Sequence, residues 1–176
     1  AIKNKYFKNL IAFEPAKKNF RLLTANIFLN ELNDIAELHN IALGDKKTNL
    51  AIKKFDNSGD YRITFKRQKN VEIVKSDILD NYTNNFNKKN SLIFMDTEGY
   101  EPNVFLGSKK TIRKKIPIVF EFAPFLLNKN WQKGFDLLFK NYKYFYNLHE
   151  STKRKKFKKE EIISLFNKLN LKKGNY

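Results

Sequence analysis

Three short apolar runs, LIAFE at 10–14, SLIFMD at 91–96 and IPIVFEF at 116–122, each end on an acid or carry one. Uninterrupted runs of this length are too short for a one-faced helix. They match strands covered on both sides, as in parallel sheets flanked by helices. Between them the period changes: over 16–30, Phe20, Leu23, Ile27 and then Asn30 fall on one side at helical spacing. Alternation of strand and helix predicts an α/β fold with a mainly parallel sheet.

The same reading places a second strand over 35–43, closed by the turn GDKK, and a hairpin or a loop excursion within 50–74. A strand leading into a helical turn follows at 71–82, then one helix or two over 101–115 with a break at Gly107. An amphipathic helix at 131–142, a strand at 143–148 and a last helix at 159–170 complete the chain. Residues 1–9 read as the tail of a helix, and no internal repeat is visible.

With 176 residues, 41% of them hydrophobic, the chain can bury one core. It has no cysteine, which excludes disulfides, thiolate metal sites and a cysteine nucleophile. The net charge of +17 is almost all lysine, with arginine only at 21, 62, 67, 113 and 154. Lysine, asparagine, isoleucine, phenylalanine and tyrosine are the residues that an AT-rich coding sequence favours, so the excess reads as charge spread over solvated faces. The dense run TKRKKFKKEE at 152–161 leaves a surface for polyanions as the alternative. No apolar run approaches the roughly 20 residues that span a bilayer, and no signal-peptide pattern opens the chain. A cytoplasmic location is expected.

In open α/β sheets ligands sit beyond the carboxyl ends of the strands, where Glu14, Asp96 and Glu121 would lie. Glu14 suits hydrogen bonds to ribose hydroxyls, or equally the N-terminal dipole of the helix that starts near Ala16. Asp96, Glu98 and Glu101 crowd together after one strand, with Gly99 permitting a tight turn between them. Clustered carboxylates suit Mg²⁺ or Ca²⁺. The only histidines, His39 and His149, are distant in sequence, and no metal is expected. Glu121 is either a site acid or one half of an ion pair with a lysine.

IAFEP at 11–15, NFRLLTANIFLNEL at 19–32, NIALGD at 40–45 and the long segment from Ile93 to Phe122 resemble, in order and spacing, the FkbM family of S-adenosylmethionine-dependent methyltransferases. The resemblance covers roughly residues 9–125 and implies a Rossmann-like class I methyltransferase fold, with helices on both sides of a mainly parallel sheet. It implies a methyltransferase-like unit over 1–150 and a basic helix or tail over 151–176. It also implies transfer of a methyl group from S-adenosylmethionine to a hydroxyl oxygen of a small-molecule or glycan acceptor. By motif, Glu14 with Pro15 beside it would hold the cofactor ribose, Ala42 and Leu43 would lie near the adenine, and Asp96 would complete the cofactor site. Asp96 and Glu98 would face the transfer site as the catalytic pair.

The chain departs from the family pattern twice. Phe94 stands where the family usually has a lysine, and no glycine precedes Glu14, the six being at 44, 59, 99, 107, 134 and 174. The family's first strand and glycine-rich loop are therefore missing from this sequence, which reads as N-terminally incomplete. That strand would lie between the one ending at Glu14 and the one ending at Asp96, so its loss leaves two unpaired edges, and loss of the loop predicts weak cofactor binding or none. The alternative is a sheet that closes differently and binds no cofactor. The alternative function is a non-catalytic module whose basic surface binds nucleic acid or anionic glycan. No aromatic RNA-binding motif or helix-turn-helix is present, so nucleic acid is the less expected partner.

Overall fold

The computed structural model describes residues 7–55, 61–64, 69–127, 131–149 and 153–173, a mixed α/β arrangement. Strand β1 (Leu10–Phe13) pairs in parallel with β2 (Ala36–His39), Leu10 opposite Ala36 and Phe13 opposite His39. Helix α1 (Lys17–Leu29) crosses between them and buries the expected face: Ile27 is buried, Phe20 and Leu23 half-buried. Its other apolar residues, Leu22, Phe28 and Leu29, are exposed.

The single strand expected over 35–43 is two. The chain breaks after His39 and resumes as β3 (Ala42–Leu43) in another sheet. Asn40 explains the break, because its amide nitrogen donates to the carbonyls of Glu14 and Pro15 at 2.8 and 3.0 Å. A turn held by those two bonds cannot continue the ladder.

Strand β3 joins a four-stranded mixed sheet in the order β3-β6-β4-β5, with β4 (Thr48–Lys54), β5 (Tyr61–Thr64) and β6 (Val71–Asp77). The β4–β5 pair is the hairpin expected within 50–74; its tip at 56–60 lies outside the described residues. Ile52 and Val74 project from this sheet into a small core with Ala16 and Ala42.

Strand β7 (Ile93–Met95) runs parallel to β8 (Ile118–Phe120). Between them lie α2 (Glu101–Leu106) and α3 (Lys109–Arg113), broken at Gly107 as expected. Helix α4 (Trp131–Asn141) packs on α2 at close range: a Cβ on Gly134 would sit 2.4 Å from the Pro102 carbonyl oxygen. Phe135 is the centre of the larger core, edge-on to Phe105, Phe120, Phe122 and Trp131.

The basic C-terminal segment contributes β10 (Arg154–Lys156), antiparallel to β9 (Tyr144–Tyr146), and α5 (Lys159–Lys173). Ile162 is buried in the larger core, and Phe166 stacks on Trp131 at 4.8 Å.

Two expectations about strands need correction. A single mainly parallel sheet was expected, whereas the described strands form four pieces: two parallel pairs, one antiparallel pair and one mixed sheet. Among the described residues β1 and β7 each pair on one side only, and their residues face each other across a cavity. The run 91–96 was expected to be buried throughout, yet Phe94 is 76% exposed. Among the described residues its strand has a neighbour on one side alone. Of the expected helix tail at 1–9, residues 1–6 lie outside the described residues, and Phe7–Asn9 are not helical. Among the described residues no helix is long and apolar enough to cross a membrane.

Candidate functional site

A cavity of about 550 Å³ opens between the ends of β1 and β7, floored by β3 and walled by the β4–β5 hairpin through Ile52, Tyr61 and Ile63. Its size suits a small organic molecule, for which about 300–1,000 Å³ is usual. Glu14, Pro15, Ala42, Leu43, Asp96 and Glu98, which the sequence scatters over three segments, all line it. Glu121 does not.

Glu14 follows β1 directly, its amide donating to His39 O at 3.1 Å and extending the β1–β2 ladder by one bond. Its carboxylate accepts the amide of Ala16 at 2.8 Å. Both readings of this acid therefore have a physical basis here: it serves the start of α1 and it lines the cavity. Burial raises its pKa above the usual carboxylate value, opposed by the Ala16 amide and the Asn19 side chain. An aromatic stack stands behind it, with Phe13 on His39 at 5.1 Å and Tyr82 edge-on to both. That packing fixes the end of β1.

Across the cavity the turn after β7 carries the acids. Glu98 has φ 51 and Gly99 φ 88, two successive left-handed residues that reverse the chain just past Asp96. Glu98 is not glycine, and its conformation stores strain of the kind found at ligand sites. The carboxylates of Asp96, Glu98 and Glu121 converge, with one oxygen from each within 4.8 Å of the others. Glu121 stands within the apolar run 116–122. It falls one residue past β8 and is exposed, held there by its amide on Met95 O at 3.3 Å. Partial desolvation, and then repulsion from Asp96, Glu98 and Glu101, raise its pKa, while Arg62 pulls it down.

The cation at this cluster is Arg62 on β5, whose Nε lies 3.6 Å from Glu98 Oε2 and whose guanidinium stacks over Phe55 at 4.9 Å. Arg62 was not singled out from the sequence. The available signal was its rarity, as one of five arginines in a lysine-rich chain. The sequence also gave no role to Tyr100, which is buried against the cavity, its hydroxyl pushed up to about 12 by burial and by Asp45. It stays a neutral hydrogen-bonding group at any ordinary pH.

Chemically, the cavity joins apolar walls to one half-buried carboxylate on one rim and an acid pair on the other. Such an arrangement can hold an apolar ring, bind vicinal hydroxyls at Glu14, and orient or deprotonate a hydroxyl at Asp96 or Glu98. The profile described as the Methyltransferase FkbM domain matches residues 2–169 of the chain. No curated protein and no solved structure matches it.

Proposed function

Because this chain belongs to the FkbM methyltransferase domain family, we propose that its cavity binds S-adenosylmethionine and serves methyl transfer to a hydroxyl oxygen of a small-molecule or glycan acceptor. The observation that carries this reading is that Glu14 and the Asp96–Glu98 pair, from the carboxyl ends of two different strands, line one cavity. The mixed strand pieces fit a Rossmann-like sheet in one respect: β1 with β2, and β7 with β8, are parallel pairs linked through helices.

The cavity lining fits the ribose and adenine parts of the cofactor chemically, while the weak binding expected without a glycine-rich loop concerns its methionine end. Glu14 offers a carboxylate to the ribose hydroxyls, with Pro15 and Asn40 fixing the backbone around it. Ala42 and Leu43 offer small and apolar surface to an adenine ring. When bound, the cofactor supplies a methyl group already activated as a sulfonium, so the protein's share of the work is to position donor and acceptor and exclude water. Negative charge at Asp96 and Glu98 suits a cationic sulfonium. Either acid can accept the acceptor's hydroxyl proton as the nucleophile forms. Arg62 at Glu98 biases Asp96, which is the more exposed of the two, toward that role.

The test is calorimetric titration with S-adenosylhomocysteine of the protein and its Glu14→Gln variant. Loss of charge-assisted hydrogen bonds worth about 1.5–3 kcal/mol should weaken binding roughly 10- to 100-fold, with the melting temperature little changed. Equal affinity in the two proteins would remove Glu14 from the cofactor site.

A further inference from the structure

Glu101 was grouped in the sequence with Asp96 and Glu98, but it does something else. It opens α2 and is only 1% exposed. Its Oε1 accepts three hydrogen bonds, from the amide of Thr97 at 3.0 Å, the hydroxyl of Thr97 at 2.8 Å and the amide of Gly99 at 3.3 Å. Its Oε2 is buried and has no hydrogen-bond partner among the described residues. A buried carboxylate with one oxygen orphaned is costly, so what the other oxygen does must compensate.

The three donors all belong to the turn that carries the acid pair. The left-handed conformation at Glu98 is disfavoured for an isolated peptide, whereas Gly99 adopts its own freely, and together they turn the amides of this loop inward. Oε1 binds those amides, while Arg62 on β5 holds the Glu98 carboxylate. On its outer side Gly99 rests against Leu126, where a Cβ would meet the Leu126 Cβ at 2.5 Å. The turn is thus clamped from three directions. Among the described residues only the Glu101 side chain bonds backbone amides on both sides of Glu98, and the Tyr100 amide also closes the turn on the Thr97 carbonyl at 3.1 Å.

We propose that Glu101 is a positioning residue: its buried carboxylate staples the 97–99 turn and thereby holds Asp96 and Glu98 at the cavity rim. This rests on the reading of Asp96 and Glu98 as site residues. Glu101 itself does not line the cavity. The staple needs an acceptor oxygen and not a negative charge, which separates it from a ligand-binding role. Glu101→Gln retains a carbonyl oxygen for the three donors, whereas Glu101→Leu has none.

The experiment is amide hydrogen exchange by NMR on the protein and both variants, with S-adenosylhomocysteine titration alongside. In the wild type the Thr97 and Gly99 amides should be protected. Glu101→Leu should lower their protection at least tenfold while the Val104 and Ile112 amides, bonded within the helical segment, keep theirs. Cofactor-analogue affinity should fall at least fivefold in that variant. Glu101→Gln should restore both protection and affinity to within about threefold of wild type. Unchanged Thr97 and Gly99 exchange in Glu101→Leu would overturn the proposal, as would a Glu101→Gln variant as defective as Glu101→Leu. If Glu101→Leu does not fold, the wild type decides, since unprotected Thr97 and Gly99 amides there would rule out the staple. If the wild type binds no analogue, the methyltransferase reading fails while the exchange data still judge Glu101.

Discussion

Gly99→Ala is the substitution that most sharply probes the turn on which the site depends. At φ +88 the backbone occupies a region that alanine adopts at a cost of about 1–2 kcal/mol. The new methyl group would also sit 2.5 Å from Leu126 Cβ, 2.7 Å from the Leu126 carbonyl oxygen and 2.8 Å from its carbonyl carbon. Two of these are backbone atoms of a 3-10 turn, Pro124–Leu126, and cannot swing away as a side chain would. Overpacking of this kind costs about 1–3 kcal/mol. The sum is about 2–5 kcal/mol, a large part of the roughly 5–15 kcal/mol that holds a domain together. Gly44→Ala is the control: its nearest neighbour is the Ser76 hydroxyl at 2.9 Å, a side-chain atom, and the next is Tyr100 at 3.4 Å. It should cost about 1 kcal/mol, the lower end of the same range. Urea unfolding measures both through the midpoint at constant slope. A Gly99→Ala protein within about 0.5 kcal/mol of wild type, or less affected than Gly44→Ala, would refute the clamped turn.

Two further substitutions follow from the same geometry. Phe135→Ala removes the ring against which five other aromatics pack, and should destabilise by about 3–5 kcal/mol in the same assay. Glu121→Gln should stabilise the fold at neutral pH, because the folded state raises the pKa of Glu121 and therefore disfavours its ionised form. The advantage of the variant should vanish as pH falls below the ordinary value of 4.5, where folded and unfolded chains are both protonated, and reach its full size above the folded value. Glu121 keeps solvent contact, so the shift in melting temperature should be small, and a melting-temperature series across pH 3–8 would show its sign.

The parts of the fold set by local chemistry were readable in advance. The spacing of Phe20, Leu23 and Ile27 marked the buried face of α1, and Gly107 marked the break between α2 and α3. The hairpin β4–β5 announced itself by two apolar runs around a polar turn. What was misread depends on distant neighbours. An apolar run reports a strand but not how many strands flank it, so the exposure of Phe94 and the separation into four strand pieces were invisible. Asn40 reads as an ordinary polar residue until its amide meets two carbonyls from the end of β1. The run at 154–156 is exposed throughout, but its pairing with β9 and the stacking of Arg154 over Tyr144 at 4.3 Å were not legible in a string of charges.

At the site, residue types carried the signal and contacts did not. Acids closing apolar strands pointed to Glu14 and Asp96, because a carboxylate at such a position is exceptional in composition. Arg62 and Glu101 act through bonds to Glu98, Thr97 and Gly99 that only the folded chain defines. Even a capping motif would not have identified Glu101, since a capping box spaces Thr and Glu three residues apart and here they are i and i+4.

The central claim is that Glu14 and the Asp96–Glu98 pair address one cofactor from two strand ends. A crystal structure of the protein with S-adenosylhomocysteine tests it most directly. The account predicts ribose hydroxyls hydrogen-bonded to the Glu14 carboxylate, adenine against Ala42 and Leu43, and the sulfur end directed toward Asp96 and Glu98. A bound molecule outside this cavity, or one whose ribose makes no contact with Glu14, would contradict it.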